Sequence, residues 1–171
     1  MNTTKNIQKT EFTVMHEFNA PRQLVFDSFR SPEALNEWWG PVECNNTVVK
    51  LDFRPGGIFH FKMDYSGNIS YGRFLFGKIE SPELLEFSNA FADENANVVK
   101  PPFDFDFPYE IFYRLVFTEK NGKTVINLTG RPMNASEKEM KGYLSIFDDM
   151  ERGFGATFNK LVEYLGKKDG K

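Results

Sequence analysis

The sequence predicts an α+β domain in which a curved antiparallel sheet of six to seven strands wraps around one long C-terminal helix. Three observations predict it. Between Phe12 and Gly130, apolar residues repeatedly alternate with polar ones, the period of a half-buried strand. Short turns separate most of these segments, so neighbouring strands must run antiparallel, because parallel pairs need long crossovers. Finally, from Ser136 to Leu165 apolar side chains recur in steps of three and four, at Met140, Tyr143, Leu144, Phe147, Met150, Phe154, Phe158, Leu161, Val162 and Leu165. That spacing lays them along one helical stripe, which the apolar face of a sheet is suited to receive.

Residues 1 to 10 are polar and aperiodic and read as a flexible lead-in to one domain over residues 11 to 166. Phe12, Val14, His16 and Phe18 form the buried side of a first strand. Pro21 is suited to the first turn of a short helix carrying Leu24, Val25, Phe26 and Phe29, because its missing N–H would be unpaired there anyway. Ser31-Pro32-Glu33 opens a second short helix, which reaches Trp38 and Trp39 before Gly40-Pro41 stops it. Strands follow at Asn46 to Phe53, Ile58 to Asp64, Ser70 to Ile79 and Leu84 to Phe91, divided by Arg54-Pro55-Gly56-Gly57, Ser66-Gly67-Asn68 and Ser81-Pro82-Glu83. Alternation puts Phe59, Phe61 and Met63 on the buried face and His60 outward; Leu85, Phe87, Asn89 and Phe91 share a face. From Ala92 to Pro108 no period survives, and the connection ends in the apolar run Pro101 to Pro108 with Phe103, Phe105 and Phe107. Loops of that length in compact domains are commonly lids or disordered segments. Glu110 to Thr118 and Lys123 to Gly130 close the sheet as a hairpin. On the final helix, Ser136 and Glu139 have capping-box spacing, and Gly166 with Lys167 and Lys168 supplies the stop. Gly142, Gly153 and Gly155 interrupt the helical stripe; they mark either close packing or volume left unfilled between helix and sheet.

Composition narrows the function. A formal charge of -3, without a basic run ahead of the last residues, argues against a nucleic-acid surface. No apolar run is long enough to span a bilayer and no signal peptide is visible, so a cytoplasmic protein is expected, as the single Cys44 also suggests. The outlying quantity is 19 phenylalanines, which suit a thick core or an apolar pocket wall. His16, His60 and Cys44 supply no metal-binding spacing, and no cofactor is expected. Asp148, Asp149 and Glu151 fall off the apolar stripe and read as a solvated face.

Several segments together resemble a known family: Phe18-Asn19-Ala20-Pro21-Arg22 with Val25-Phe26, Ser31-Pro32-Glu33 through Leu35 to Trp38-Trp39-Gly40-Pro41, Asp52-Phe53-Arg54-Pro55-Gly56-Gly57, and Ile79 with Pro82-Glu83 and Leu85. They are similar to the bacterial heat-shock protein 90 ATPase activator-like family of the START/Bet v 1-like (SRPBCC) superfamily. The resemblance implies the helix-grip fold, a seven-stranded sheet on the C-terminal helix with a deep apolar cavity between them. Where the family usually has Gly-Trp in that helix, this chain has Gly153-Phe154.

The expected function is non-catalytic binding of a small hydrophobic or amphipathic ligand between sheet and helix. The candidate lining comprises Trp38, Trp39, Phe59, Phe61, Phe87, Phe91, Phe103, Phe105, Phe147, Met150 and Phe154, with Arg73, Asn89, Glu110 and Tyr113 as polar groups fixing orientation. Adjacent Trp38 and Trp39 cannot both point inward, so one is expected in the core and the other at the rim. A cyclase or hydrolase is the alternative, with Glu110 or Tyr113 transferring a proton and Arg73 holding an anion. A third is a co-chaperone-like module stimulating the heat-shock protein 90 ATPase. The partners expected are thus a small apolar molecule or a chaperone, for a monomer or homodimer with neither nucleic acid nor membrane.

Overall fold

A computed structural model describes residues 11–169; the expectation for residues 1 to 10 lies outside the described residues. The elements run β1 (Phe12–Phe18), α1 (Arg22–Asp27), α2 (Pro32–Trp38), β2 (Asn45–Leu51), β3 (Ile58–Tyr65), β4 (Asn68–Glu80), β5 (Leu84–Ala92), β6 (Glu110–Lys120), β7 (Lys123–Met133), α3 (Glu137–Ser145) and α4 (Phe147–Asp169). All seven strands form one antiparallel sheet in the order β1-β7-β6-β5-β4-β3-β2. Consecutive strands from β2 to β7 are neighbours. β1 joins at the far edge, on β7, so α1 and α2 carry the chain from one edge of the sheet to the other. Register shifts at Val48/Lys50 in β2 and Phe76/Ile79 in β4 bend the sheet, because an extra residue on one strand increases its local twist.

Local chemistry explains the ends of these elements. Ser31 accepts from the Ala34 N–H at 3.2 Å with Pro32 in the first turn of α2, and Trp39 is already extended. The β3–β4 turn needs two residues in the left-handed region, filled by Ser66 at φ 50° and Gly67 at φ 90°. At α3 the capping box is complete: Ser136 Oγ accepts from Glu139 N–H at 3.1 Å, and Glu139 accepts from Ser136 N–H at 3.0 Å.

The expected single helix from Ser136 to Leu165 is instead two, broken at Ile146, whose φ of -117° and ψ of 22° leave the helical region. Ser145 Oγ donates to the Gly142 carbonyl at 2.7 Å and so competes with the helical ladder at this turn. The break lets α3 follow the long loop while α4 follows the sheet: Tyr143 Oη donates to the Gly130 carbonyl at 3.2 Å, whereas Phe147 and Phe154 both pack on Phe12. Nor does Gly166 end α4, which continues to Asp169; that glycine lacks the positive φ of a helix stop.

The core sits at one end of the trough. Phe158, Leu161 and Leu165 of α4 are buried there with Phe18 of β1, Val25 and Phe26 of α1, and Leu35 and Trp38 of α2. The Phe158 ring meets Phe18 at 5.7 Å and Trp38 at 6.3 Å. Each such side chain contributes about 1.5–3 kcal/mol through burial, so this end is firmly closed. The outer face is solvated by contrast, with Arg114 paired to Glu86 at 2.6 Å and Arg131 over the Phe112 ring at 4.9 Å beside exposed Met15 and Leu75.

Candidate functional site

At the other end the trough is not filled. A cavity of about 320 Å³ lies between the sheet and the first three turns of α4. Its floor is the inner face of β3 to β6, from Phe61, Met63, Gly72, Asn89, Phe91, Ile111 and Tyr113. Met150, Gly153, Phe154 and Thr157 of α4 form one wall, together with Ile146 at the helix break. Trp39, Gly40 and Pro41 line the α2 side, and Phe103, Phe107, Pro108 and Tyr109 cover it from the long loop. Exposed Pro41, Tyr109 and Gly153 mark where it meets solvent.

Glycines decide where the walls stand. On β4, a Cβ at Gly72 would come within 2.5 Å of the Phe61 ring, its cross-strand partner, and on β7 a Cβ at Gly130 would meet the Tyr113 ring as closely. Both rings therefore lie flat over glycine, which lowers the floor. In the helices the two explanations for glycine divide by position. At Gly142 a Cβ would overlap the Asp106 carbonyl, so this glycine docks the loop on α3; at Gly153 it would meet nothing within 4 Å, so space is left at the cavity. The loop arrives as an aromatic ladder, Phe91 on Phe103 at 5.8 Å, Phe103 on Phe107 at 5.0 Å and Phe107 on Tyr143 at 6.3 Å.

Thr157 Oγ1 and Lys160 Nζ both donate to the Gly40 carbonyl at 3.1 Å, pinning α4 to the Trp39-Gly40-Pro41 rim. Burial lowers the Lys160 pKa. Burial also pushes the Tyr113 phenol far above its ordinary value, with Tyr143 nearby adding to the effect, so Tyr113 stays protonated and neutral.

Of the residues expected at the site, the structure places Trp39, Phe61, Asn89, Phe91, Phe103, Tyr113, Met150 and Phe154 on the cavity. Trp38 goes to the core, its Nε1 donating to the Ser28 carbonyl at 3.0 Å. Phe59 and Phe87 also fill the core, on opposite sides of Phe74. Phe147 packs on Phe12 and Tyr143, and Phe105 stacks on Phe103 at 5.1 Å while staying partly exposed outside the cavity.

Arg73 and Glu110 lie on the opposite face of the sheet, paired to each other at 3.5 Å. Strand parity is the reason. Phe74 and Phe76 point inward, so Arg73 points out, and Glu110 stands three residues from inward Tyr113 on one strand. Glu110, Tyr113 and Arg73 are therefore not brought together as an acid, a base and an anion holder. His60 does face outward but is 4% exposed, covered by the loop, with Nε2 against the Asp93 carbonyl at 3.0 Å.

Lining residues missed from sequence fall into two kinds. Met63 and Ile111 follow from the same alternation that marks Phe61 and Tyr113 and were legible. Gly72, opposite Phe61 on β4, follows the same alternation, and Gly153 is one of the helix glycines that the sequence marks as close packing or unfilled volume, whereas Gly40, Pro41, Ala90, Phe107, Pro108, Tyr109, Ile146 and Thr157 depend on how loop and helix dock. Among the described residues no group of three or more His, Cys, Asp or Glu could hold a metal ion, and no helix is long and apolar enough to cross a membrane. Asp148, Asp149 and Glu151 are exposed, with Asp149 paired to Arg152, and burial followed by Glu43 pushes the Cys44 thiol up, away from a reactive thiolate.

The fold recurs in solved structures. Protein Ms6760 from Mycobacterium smegmatis is 27% identical, with a TM-score of 0.74 over 91% of this chain and 90% of its own. A protein from Arthrobacter aurescens is 24% identical with a TM-score of 0.77 over 92% and 87%, and one from Staphylococcus epidermidis is 23% identical with 0.76 over 95% and 93%. No curated protein matches the chain. The family model described as "Activator of Hsp90 ATPase homolog 1-like protein" matches residues 19–166. Family and fold support a ligand-binding or co-chaperone-like domain. With the helix-grip fold of the START/Bet v 1-like superfamily and a family match over most of its length, the chain belongs to the activator of Hsp90 ATPase homolog 1-like family.

Proposed function

We propose that this protein binds a small apolar or amphipathic molecule, without transforming it, in the cavity between the sheet and α4. The observation that carries this is the unfilled end of the trough. Its volume of about 320 Å³ falls within the range of about 300–1,000 Å³ typical of small-molecule sites, and rings and aliphatic side chains dominate its lining. A second observation supports binding without catalysis. Among the described residues, the titratable ones lining the cavity are two tyrosines, Tyr109 and Tyr113, with no histidine, carboxylate or amine in that lining to relay a proton.

Titration with Nile red, a neutral apolar dye, followed by native mass spectrometry tests this. One dye per chain is expected. Ile111 points into the cavity, so Ile111→Trp should fill space the dye needs and weaken binding by about tenfold or more, a loss of about 1.4 kcal/mol or more. No binding by the wild-type chain, or equal binding by a folded Ile111→Trp variant, defeats the proposal. The family description favours a second reading, stimulation of the Hsp90 ATPase. A role on the outer face predicts stimulation that Ile111→Trp leaves intact.

A further inference from the structure

The connection from β5 to β6 is a strap that is fastened on one face of the sheet and covers the cavity on the other. It leaves β5 in a tight turn, closed by the Asp93 carboxylate, which accepts from the Asn95 and Asn97 N–H groups at 2.8 and 2.9 Å. That turn rests on outward-facing His60, whose Nε2 stands 3.0 Å from the Asp93 carbonyl. A carbonyl only accepts, so Nε2 carries the proton and donates it. The His60 ring is buried and lies 5.4 Å from the Tyr71 ring, which fixes its position under the turn. The strap ends at Glu110, and Glu110 is paired with Arg73 at 3.5 Å. His60 and Arg73 are directly opposite each other across β3 and β4. One cross-strand pair on the outer face therefore holds both ends of the strap.

Between those ends Phe103, Phe107, Pro108 and Tyr109 cover the cavity, and they are held differently. Val99 N–H donates to the Phe91 carbonyl at 3.0 Å, but over residues 100–109 the one backbone hydrogen bond among the described residues is local, from Phe103 N–H to the Pro101 carbonyl at 2.9 Å. Ring contacts supply the rest, and apolar contact has no fixed direction. The other walls are bonded in place, the floor by the strand ladder and α4 by Thr157 and Lys160 at the Gly40 carbonyl. Lifting the strap thus breaks the fewest directional bonds of any wall, as expected of a segment that opens locally. Its outer fastening is also incomplete. Charge-assisted N–H to carboxylate bonds run at about 2.7–2.9 Å; the Arg73 to Glu110 contact is longer, and Arg73 Nε is buried with no acceptor among the described residues. Such a contact can release while the sheet stays intact.

Resting on the ligand-binding reading above, we infer that His60 and Arg73 are positioning residues of a latch: from the outer face they set how often the strap lifts to admit or release a guest on the inner face. Stopped-flow mixing tests this, timing Nile red uptake by the dye-free protein and its release from the loaded protein into excess phosphatidylcholine vesicles. His60→Phe keeps a ring against Tyr71 but removes the donor, and Arg73→Met removes the charge. Each should speed uptake and release alike by about fivefold, the factor carried by one net hydrogen bond. The dissociation constant should then move by less than about twofold, because the same opening precedes entry and exit. Arg114→Met, which breaks an outer-face pair that includes neither end of the strap, should change neither rate. In the dye-free variants, amides of residues 97–107 should exchange hydrogen faster while those of residues 156–162 do not change. Unchanged strap exchange in the folded variants overturns the latch. Faster strap exchange with unchanged dye rates, or faster release with weakened affinity and unchanged uptake, overturns its gating role. Should Arg73→Met not fold, Glu110→Gln frees the same end from the strap side and is read the same way. If the wild-type chain takes up no dye, the ligand-binding reading fails and gating with it, while strap exchange still decides the latch.

Discussion

His16 shows how burial turns one side chain into a pH-dependent contribution. On the inner face of β1 its ring lies 5.1 Å from Phe18 and 5.6 Å from Phe158, and desolvation lowers its pKa below the ordinary 6.5. The unfolded chain takes up the proton first as pH falls, so the stability associated with neutral His16 is present above about 6.5 and is lost below it, down to the lower folded value. Urea midpoints measured at about pH 7.5 and about pH 5 should therefore fall for the wild-type chain. His16→Phe should show a smaller fall, and identical falls would exclude this origin. Tyr113 sits at the other extreme: pushed upward by burial, it keeps its proton throughout that range and adds nothing to the slope.

Within the helices, equal substitutions should have opposite effects. Glycine in a helix interior costs about 1 kcal/mol relative to alanine, so Gly153→Ala, whose Cβ meets nothing within 4 Å, should stabilise the chain by about that amount. At Gly142 the new Cβ meets the Asp106 backbone carbonyl and comes within 3.0 Å of the Phe105 ring, so loop and α3 must separate. An overpacking cost of about 1–3 kcal/mol then offsets or exceeds the helix gain. Chemical denaturation reads both, and stabilisation of similar size at the two sites would show that the loop does not rest on Gly142. The same contact explains why α3 and α4 are separate, since α3 is held by the loop and by Gly130 while α4 is held by β1 and the Trp39 rim.

Across the whole molecule, stability should be graded from the closed end of the trough to the open one. Near Phe158 and Leu161 the helix is enclosed by β1, α1 and α2, whereas near Met150 and Gly153 it faces the cavity. Amide hydrogen exchange follows such local differences. Amides of residues 156–162 should exchange more slowly than those of residues 147–153, and saturation with Nile red should slow the latter more than the former. Uniform protection along α4, unchanged by the dye, would mean that the cavity end is as tightly packed as the core.

Sequence alone determined the strand periods, the helix starts at Ser31 and Ser136, the turns and the α+β arrangement, because these depend on neighbours a few residues apart. The stripe from Met140 to Leu165 likewise determined which helical side chains turn inward, apart from Val162, which is 39% exposed. Alternation also held enough to exclude one expectation, since Glu110 and Tyr113 are three apart on a single strand and cannot share a face. Tertiary structure decided the rest: the break at Ile146, the fate of each glycine, the docking of Phe103 and Phe107, and the division of the aromatics between core and cavity. Those outcomes depend on contacts between segments far apart in the chain, such as Asp106 with Gly142 and Gly40 with Thr157. A periodic pattern specifies which face is buried; it does not specify whether the opposing surface comes close enough to fill the space.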